Sequence, residues 1–225
     1  MRDLLIITPT RQRPGSARRL AAAVRDTATA DTVLLLAVDD DDPGYDGGIE
    51  GAEVIRGPRR KCARWSNLIA AERGPQYRAV ASLGDDHIPV TPGWDTALLD
   101  AIDAMGGTGI AYGDDTLQHE NLPTAPVISS DIVAALGWLF HPQMLHYYCD
   151  NIWKDIAAGA GCLAYLPDVI VRHLHCSAGT APRDQVYADE EHAMGPDEAS
   201  YRAWRASPDG MAADVATVRA LMAAR

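Results

Sequence analysis

The chain is poor in the features that mark several protein classes. Its four cysteines, Cys62, Cys149, Cys162 and Cys176, form no C-x-x-C pair and no compact cluster. Neither a structural zinc site nor a disulfide framework is therefore predicted, and a reducing cytoplasm is the expected home. No apolar run reaches the roughly 20 residues that a membrane span needs, and Leu4-Leu5-Ile6-Ile7 is too short for a signal-peptide core. Lysine is scarce too: Lys61 and Lys154 are the only two, and 20 basic residues face 31 acidic ones for a net charge of −11. Such a balance disfavours nonspecific adhesion to nucleic acid or anionic membrane, which relies on clustered cations. The local exception is a basic run of Arg56, Arg59, Arg60, Lys61 and Arg64. Repeats, low-complexity segments and clear linkers are missing as well, so the 225 residues are read as one domain with its own core.

What is there alternates. Leu4 to Ile7 and Val33 to Val38 are continuous apolar runs, the pattern of strands covered on both faces. Between them Ser16 is expected to cap a helix carrying Leu20, Ala21, Val24 and Ala28. A strand at Glu53-Val54-Ile55, a helix over 62–73 and a strand over 79–83 follow. This β-α-β-α-β order predicts a parallel sheet with helices on both sides and ligands beyond the carboxyl ends of its strands. Polar clusters stand at three such ends: Thr8 to Arg11, Asp39 to Asp42, and Asp85-Asp86-His87. Adjacent carboxylates repel one another, so a strand end that keeps two of them invites a cation or a hydrogen-bonding ligand.

Further along, the pattern predicts a helix over 93–105, a strand over 109–112, and a functional loop over 113–125 in which Asp114, Asp115, His119 and Glu120 form a solvated lid. A short helix ending at Gly137 is followed by one capped by Asp150, then by strands over 162–166 and 169–173, and by two tail helices near 197–206 and after Ser207-Pro208. Trp94 and Trp153 are read as core rather than as sugar-stacking rings. On a strand, His173 and His175 would point to one face.

The opening LLIITPTRQRPGSARRL, the VDDDDPGY strand end, the RKCARWSNLIAAE helix and the LGDDHIP strand end, within roughly residues 3–175, together resemble the GT-A-type nucleotide-sugar glycosyltransferases of the family-2 kind. The resemblance implies an α/β fold, a three-layer α/β/α sandwich with a mostly parallel central sheet: a catalytic domain over 1–175 and a helical C-terminal extension over 176–225. It assigns Pro9, Thr10 and Arg11 to the nucleotide, Asp39 or Asp40 to the base, and Arg64 and Asn67 to the diphosphate side. Gly84 stands where such enzymes often carry the first Asp of the metal motif, which leaves two registers. Either Asp85 meets the ribose and Asp86 the metal, or Asp85 and His87 are the outer pair of a D-x-H variant. One of His173 and His175 is the implied late metal ligand, and Asp150 the implied acceptor-activating carboxylate.

The expected cofactor is Mn²⁺ or Mg²⁺, which take oxygen ligands and leave positions for substrate phosphates. The expected partners are a UDP- or GDP-sugar donor, in hexosyl transfer, and a glycan, protein or other hydroxyl compound as acceptor, with nucleic acid disfavoured by charge. Two rivals stand beside this reading. A nucleotidyltransferase acting on a sugar phosphate would carry a glycine-rich first loop, whereas TPTRQRPGS has one glycine. An inactive nucleotide-sugar-binding module is suggested by Gly84.

Overall fold

A strand buried on both faces must send apolar side chains alternately into two cores, and the first strand does so. The computed structural model describes residues 1–224, with the backbone alone at Glu190; Arg225, the last residue of the expected extension, lies outside them. Strand β1 spans Arg2–Pro9, and Leu4 to Ile7 within it are all fully buried. Leu4 and Ile6 pack with Leu34, Leu36 and Val38, while Leu5 and Ile7 pack with Val33, Leu35 and Ala37 on the opposite face. Each such side chain contributes about 1.5–3 kcal/mol, so the continuous run is what fixes the strand at the centre of the sheet.

Helix α1 (Pro14–Thr27) leads to β2 (Thr32–Asp39), β3 (Glu53–Gly57), α2 (Cys62–Arg73) and β4 (Tyr77–Ser82). Then come β5 (His87–Pro89), α3 (Trp94–Ala104), β6 (Ile110–Asp114), β7 (Val127–Ser129), α4 (Ser130–Leu136), α5 (Cys149–Ala160) and β8 (Leu163–His173). The sheet has eight strands in the order β3-β2-β1-β4-β7-β6-β8-β5. Parallel pairing joins β1 to β2 and β4, β2 to β3, and β6 to β8; β7 runs against both β4 and β6, and β5 against β8. Helices α1 and α3 cover one face, and α2, α4 and α5 the other, giving the expected three layers. Among the described residues no helix is long and apolar enough to cross a membrane.

Three local expectations are corrected. Helix α1 begins at Pro14 rather than after a Ser16 cap, because proline's fixed φ and missing N–H suit a first turn. Asp150 is not a cap: α5 starts at Cys149, behind Tyr148 in the left-handed region at φ 66°, and Asp150 lies in the first turn. The two strands expected over 162–173 are one, β8, which changes partner along its length from β6 to β5 and so tolerates Pro167 between them. Short β5, with only three residues, carries too little pattern to be read in advance.

After β8 the chain adds α6 (Gln185–Glu190), α7 (Met194–Ala206) and α8 (Met211–Ala223). Trp204 and Val218 from this segment are buried in the same cluster as Trp153 and Ile156 of α5. Trp94 and Trp153 are both core, and Trp153 donates to Leu139 O. Asp197 of α7 is 0% exposed and accepts the backbone N–H groups of Leu145, His146 and Tyr147 at 2.7–2.8 Å. It thereby ties the loop that feeds Asp150 into α5. Stranding buried donors costs about 1–3 kcal/mol each, so Asp197→Ala should lose roughly 3 kcal/mol or more in urea unfolding; an unchanged midpoint would remove this tie from the account.

Candidate active site

The site begins with a turn. Beyond β4, His87 N donates to Gly84 O at 3.1 Å, which places Asp85 and Asp86 at the two central positions and starts β5 at once. The two carboxylates face different partners. Asp85 is 5% exposed; its Oδ2 accepts the Thr10 hydroxyl at 2.5 Å and its Oδ1 lies 3.4 Å from the Arg13 guanidinium. Burial pushes the Asp85 carboxyl up to about 6, against the pull of Thr10, with the Asp86 charge adding to the rise. Asp86 lies 3.4 Å from His87 Nδ1 and 3.7 Å from His173 Nε2. Burial alone would raise it, but its interactions with the two imidazoles hold it well below the usual carboxylate range.

Pairing of β5 with β8 sets His87 opposite His173, and their rings stack at 4.1 Å. Asp86, His87 and His173 each offer a ligand atom within 4.8 Å of the others. The Nε2 of His87 and Nδ1 of His173 are buried with no hydrogen-bond partner among the described residues. A carboxylate beside imidazoles is a donor set that fits Mn²⁺. Gly84 is required by this crowding, since a Cβ there would sit 2.5 Å from Asp86 Oδ1 and 3.1 Å from His87 Nδ1. His87 Nδ1 also accepts the Gly84 N–H, which leaves His173 as the freer imidazole.

A cleft of about 190 Å³ opens beside the turn. Pro9, Thr10, Arg11, Asp39, Asp85 and Asp86 line it, together with the basic run Arg59, Arg60 and Lys61. Asp39 is buried and accepts from Arg60 N, Trp65 Nε1 and Arg11, so its carboxylate is held rigidly at the end of β2. Arg60 also stacks over the Trp65 ring at 5.2 Å. From the tail, Val186 and Asp189 reach the same cleft, and the Tyr187 hydroxyl donates to Asp86 Oδ2 at 3.0 Å. Arg13 joins the two parts, pairing with Asp184 at 2.6 Å and lying 4.4 Å over the Tyr187 ring.

Asp150 is half-buried, and no hydrogen bond to its carboxylate occurs among the described residues. Burial pushes it up to about 7, with His173 drawing it down and Asp115 pushing it further up, so it shares the electrostatic neighbourhood of the His173 end. The sequence pattern gave no sign of Arg13 or Tyr187 as parts of the site. Asp115 was expected in a solvated lid, yet it is 2% exposed. Asp114 too is largely covered, with its side chain 15% exposed, and takes the Tyr165 hydroxyl at 2.8 Å and His119 Nδ1 at 2.9 Å, whereas His119 and Glu120 are exposed.

Several expected site residues stand elsewhere. Asn67 is spent on the fold: its Oδ1 accepts Leu139 N and Phe140 N, and its Nδ2 donates to Phe140 O. Arg64 is exposed on α2 and does not line the cleft, where its neighbours Arg59 to Lys61 do. Asp40 is likewise exposed, its backbone N–H tied to Gly57 O, so the structure brings Asp39 rather than Asp40 to the cleft. His175 lies beyond the end of β8, where the two-residue period no longer applies; its Nδ1 accepts Ser177 N–H and it is absent from the Asp86 cluster.

No protein-family model and no curated protein matches the chain. Solved structures do. The glucosyl-3-phosphoglycerate synthase of Mycobacterium tuberculosis, in complex with Mn²⁺, UDP and glucosyl-3-phosphoglycerate, aligns with a TM-score of 0.59 at 12% identity over 86% of this chain and 76% of that one. Mannosyltransferase PcManGT of Pyrobaculum calidifontis, in complex with GDP-Man and Mn²⁺, aligns with a TM-score of 0.57 at 10% identity over 100% of this chain and 77% of that one. S. aureus TarS 1–349 gives 0.57 at 10% identity over 75% of this chain. The chain spans 59% of that TarS structure and 36% of the longer one. What the chain shares with them is their fold, and it is thus a GT-A-type α/β protein.

Proposed function

We propose that the protein is a metal-dependent glycosyltransferase that moves a sugar, as a hexosyl group, from a nucleoside-diphosphate sugar to an acceptor hydroxyl. The observation that carries this reading is the pairing of Asp86, which lines the cleft together with Arg59, Arg60 and Lys61, with His173, whose Nε2 lies 3.7 Å from it. The Mn²⁺ and the UDP- or GDP-linked ligands of the structural neighbours support it. In this reading Asp86 and His173 hold Mn²⁺ or Mg²⁺, with Asp85 on the ribose side, Asp39 toward the base, and Pro9, Thr10 and Arg11 along the nucleotide. The bound cation supplies charge stabilisation to the departing diphosphate. Arg59, Arg60 and Lys61 replace Arg64 and Asn67 as the diphosphate wall, where fixed cations act without reorganising.

Asp150 is the base. As the acceptor oxygen bonds to the anomeric carbon and the bond from that carbon to the diphosphate oxygen breaks, the acceptor proton passes to the Asp150 carboxylate and the nucleoside diphosphate leaves. This is the single-displacement, inverting course; its raised pKa suits a base that works near neutrality. Gly84 favours an active site over a vestigial one, because the closeness of Asp86 demands it.

Thermal-shift screening with UDP, GDP and their sugars, with and without Mn²⁺, tests the reading. Metal-dependent stabilisation by one nucleotide sugar is expected, and stabilisation by a nucleoside triphosphate alone would instead favour nucleotidyl transfer. Asp86→Ala and His173→Ala should each weaken Mn²⁺ binding about a hundredfold or more in calorimetric titration, given the several kcal/mol at stake, while His175→Ala has a mild effect. Equal losses from His173→Ala and His175→Ala would overturn the ligand assignment.

Gly84→Ala separates site from fold. The atom that its Cβ meets is the end of a side chain, so Asp86 turns away at little cost to the backbone. The melting temperature should hold while Mn²⁺ affinity falls; retained affinity would mean that the carboxylate can bind from another rotamer.

Asp150→Asn should leave the melting temperature nearly unchanged and slow turnover by roughly 10²–10⁴-fold. In the native enzyme the ionised fraction of Asp150 grows as pH rises, so kcat should climb through about 7 and then level off. A flat profile, or a product that keeps the donor's anomeric configuration by NMR, would remove Asp150 from the role of base.

A further inference from the structure

The loop after β6 folds around one carboxylate. Asp115 Oδ1 accepts the backbone N–H groups of Leu117, Gln118 and His119 at 2.8, 2.6 and 3.1 Å, and its Oδ2 accepts the Thr124 hydroxyl at 2.8 Å. Four donors hold it in place, and Thr116 and His119 adopt positive φ of 65° and 52° to close around it. Capping a loop would account for Oδ1 alone. Oδ2, however, also faces His173 Nδ1 at 3.9 Å, and that nitrogen is buried with no hydrogen-bond partner among the described residues. The backbone repeats the connection, since His173 N donates to Asp115 O at 2.9 Å. Across the ring, Nε2 looks the other way, 3.7 Å from Asp86.

An imidazole can ligate a metal through Nε2 only when its proton sits on Nδ1, and a carboxylate beside Nδ1 fixes that tautomer and the ring's orientation. We propose that Asp115 is a positioning residue for His173: its Oδ2, 3.9 Å from Nδ1, closes by a small side-chain shift to accept the Nδ1–H, which turns the Nε2 lone pair toward Asp86 and the metal. The role rests on the metal reading given above, and it explains why a carboxylate caged by four donors stands at the start of a loop that otherwise has no periodic pattern.

Asp115→Asn is the informative change. If its amide oxygen keeps the three backbone N–H groups, the NH₂ takes the place of Oδ2, where the Thr124 hydroxyl can rotate to accept from it. The same NH₂ then donates to Nδ1 and drives the proton to Nε2, which blocks the ligand atom without emptying the loop. Nitrogen-15 histidine NMR on the metal-free protein, at about pH 8 and so above the ordinary imidazole pKa, should show the His173 proton on Nδ1 in the native chain and on Nε2 in the variant. The same tautomer in both overturns the proposal. Calorimetry with Mn²⁺ should show a roughly 10–100-fold weaker affinity for Asp115→Asn, with no further loss when the change is made in His173→Ala. An equal loss in that background would mean that Asp115 acts by some route other than His173, and it too overturns the proposal. Failure of the native protein to bind Mn²⁺ would strike the metal reading, while the tautomer comparison still decides the role of Asp115. Should Asp115→Asn not fold, Thr124→Val, which frees Oδ2 of its other side-chain donor, must leave the His173 proton on Nδ1; a proton on Nε2 in that variant counts against the proposal.

Discussion

Two neighbouring carboxylates that must not share one environment organise this molecule. Like charges about 4 Å apart repel by about 4 kcal/mol at surface-like screening, a large share of the about 5–15 kcal/mol that keeps a domain folded. The turn after β4 separates their surroundings. Asp85 is turned back under Thr10 and Arg13, where burial favours its neutral form, while Asp86 is turned toward two imidazoles that favour its charge. Once that division is made, much else follows. With Asp86 so placed position 84 has room only for glycine, β5 has to begin at His87, and β8 has to run on to His173 to bring the second imidazole opposite the first.

The segment after β8 belongs to the same balance. Asp184 and Tyr187 clasp Arg13 from outside, and the Tyr187 hydroxyl supplies Asp86 with a neutral donor. On the far side Asp197 gathers three backbone N–H groups from the loop before α5, and Trp204 packs into the core beneath it. Asp150 owes its position to that loop, since Tyr148 must adopt a left-handed conformation to start the helix. The C-terminal helices thus brace the site from two directions, through an ion pair at its mouth and a buried carboxylate behind it.

Much of this was readable from the sequence, and the division between what was and was not is physical. Leu4 to Ile7 and Val33 to Val38 announce doubly covered strands because burial on both faces removes any polar alternation, and the place of the candidate site at the strand ends follows from parallel topology. Asp86 and His173 were within reach because each stands beside a strand end. Where the reading failed, tertiary structure had assigned the side chain to another task. Asn67 has the chemistry of a phosphate contact, but its amide is used to hold Leu139 and Phe140. His175 has the right spacing, but the strand stops two residues before it. Asp115 looked like a surface residue among polar neighbours, and only the fold of its loop hides it. Tyr187 lies 101 residues from Asp86, and no local pattern could have joined them.

Charge distribution bears on the size of what the cleft accepts. A net charge of −11 sets up a repulsive field around most of the surface, which a polyanion would have to cross along its whole length. Within the cleft the balance is local and different: Arg11, Arg13, Arg59, Arg60 and Lys61 meet Asp39, Asp85, Asp86 and Asp189 there, and Arg11 and Arg13 are paired with Asp39 and Asp85. Fixed cations in a recess concentrate field lines over a distance of about one Debye length, roughly 8–10 Å. A compact anion fits inside that distance and is drawn in, whereas an extended one gains at one group what it loses at the next. Under the function proposed above, such a recess would favour a small phosphorylated donor over a polyanion.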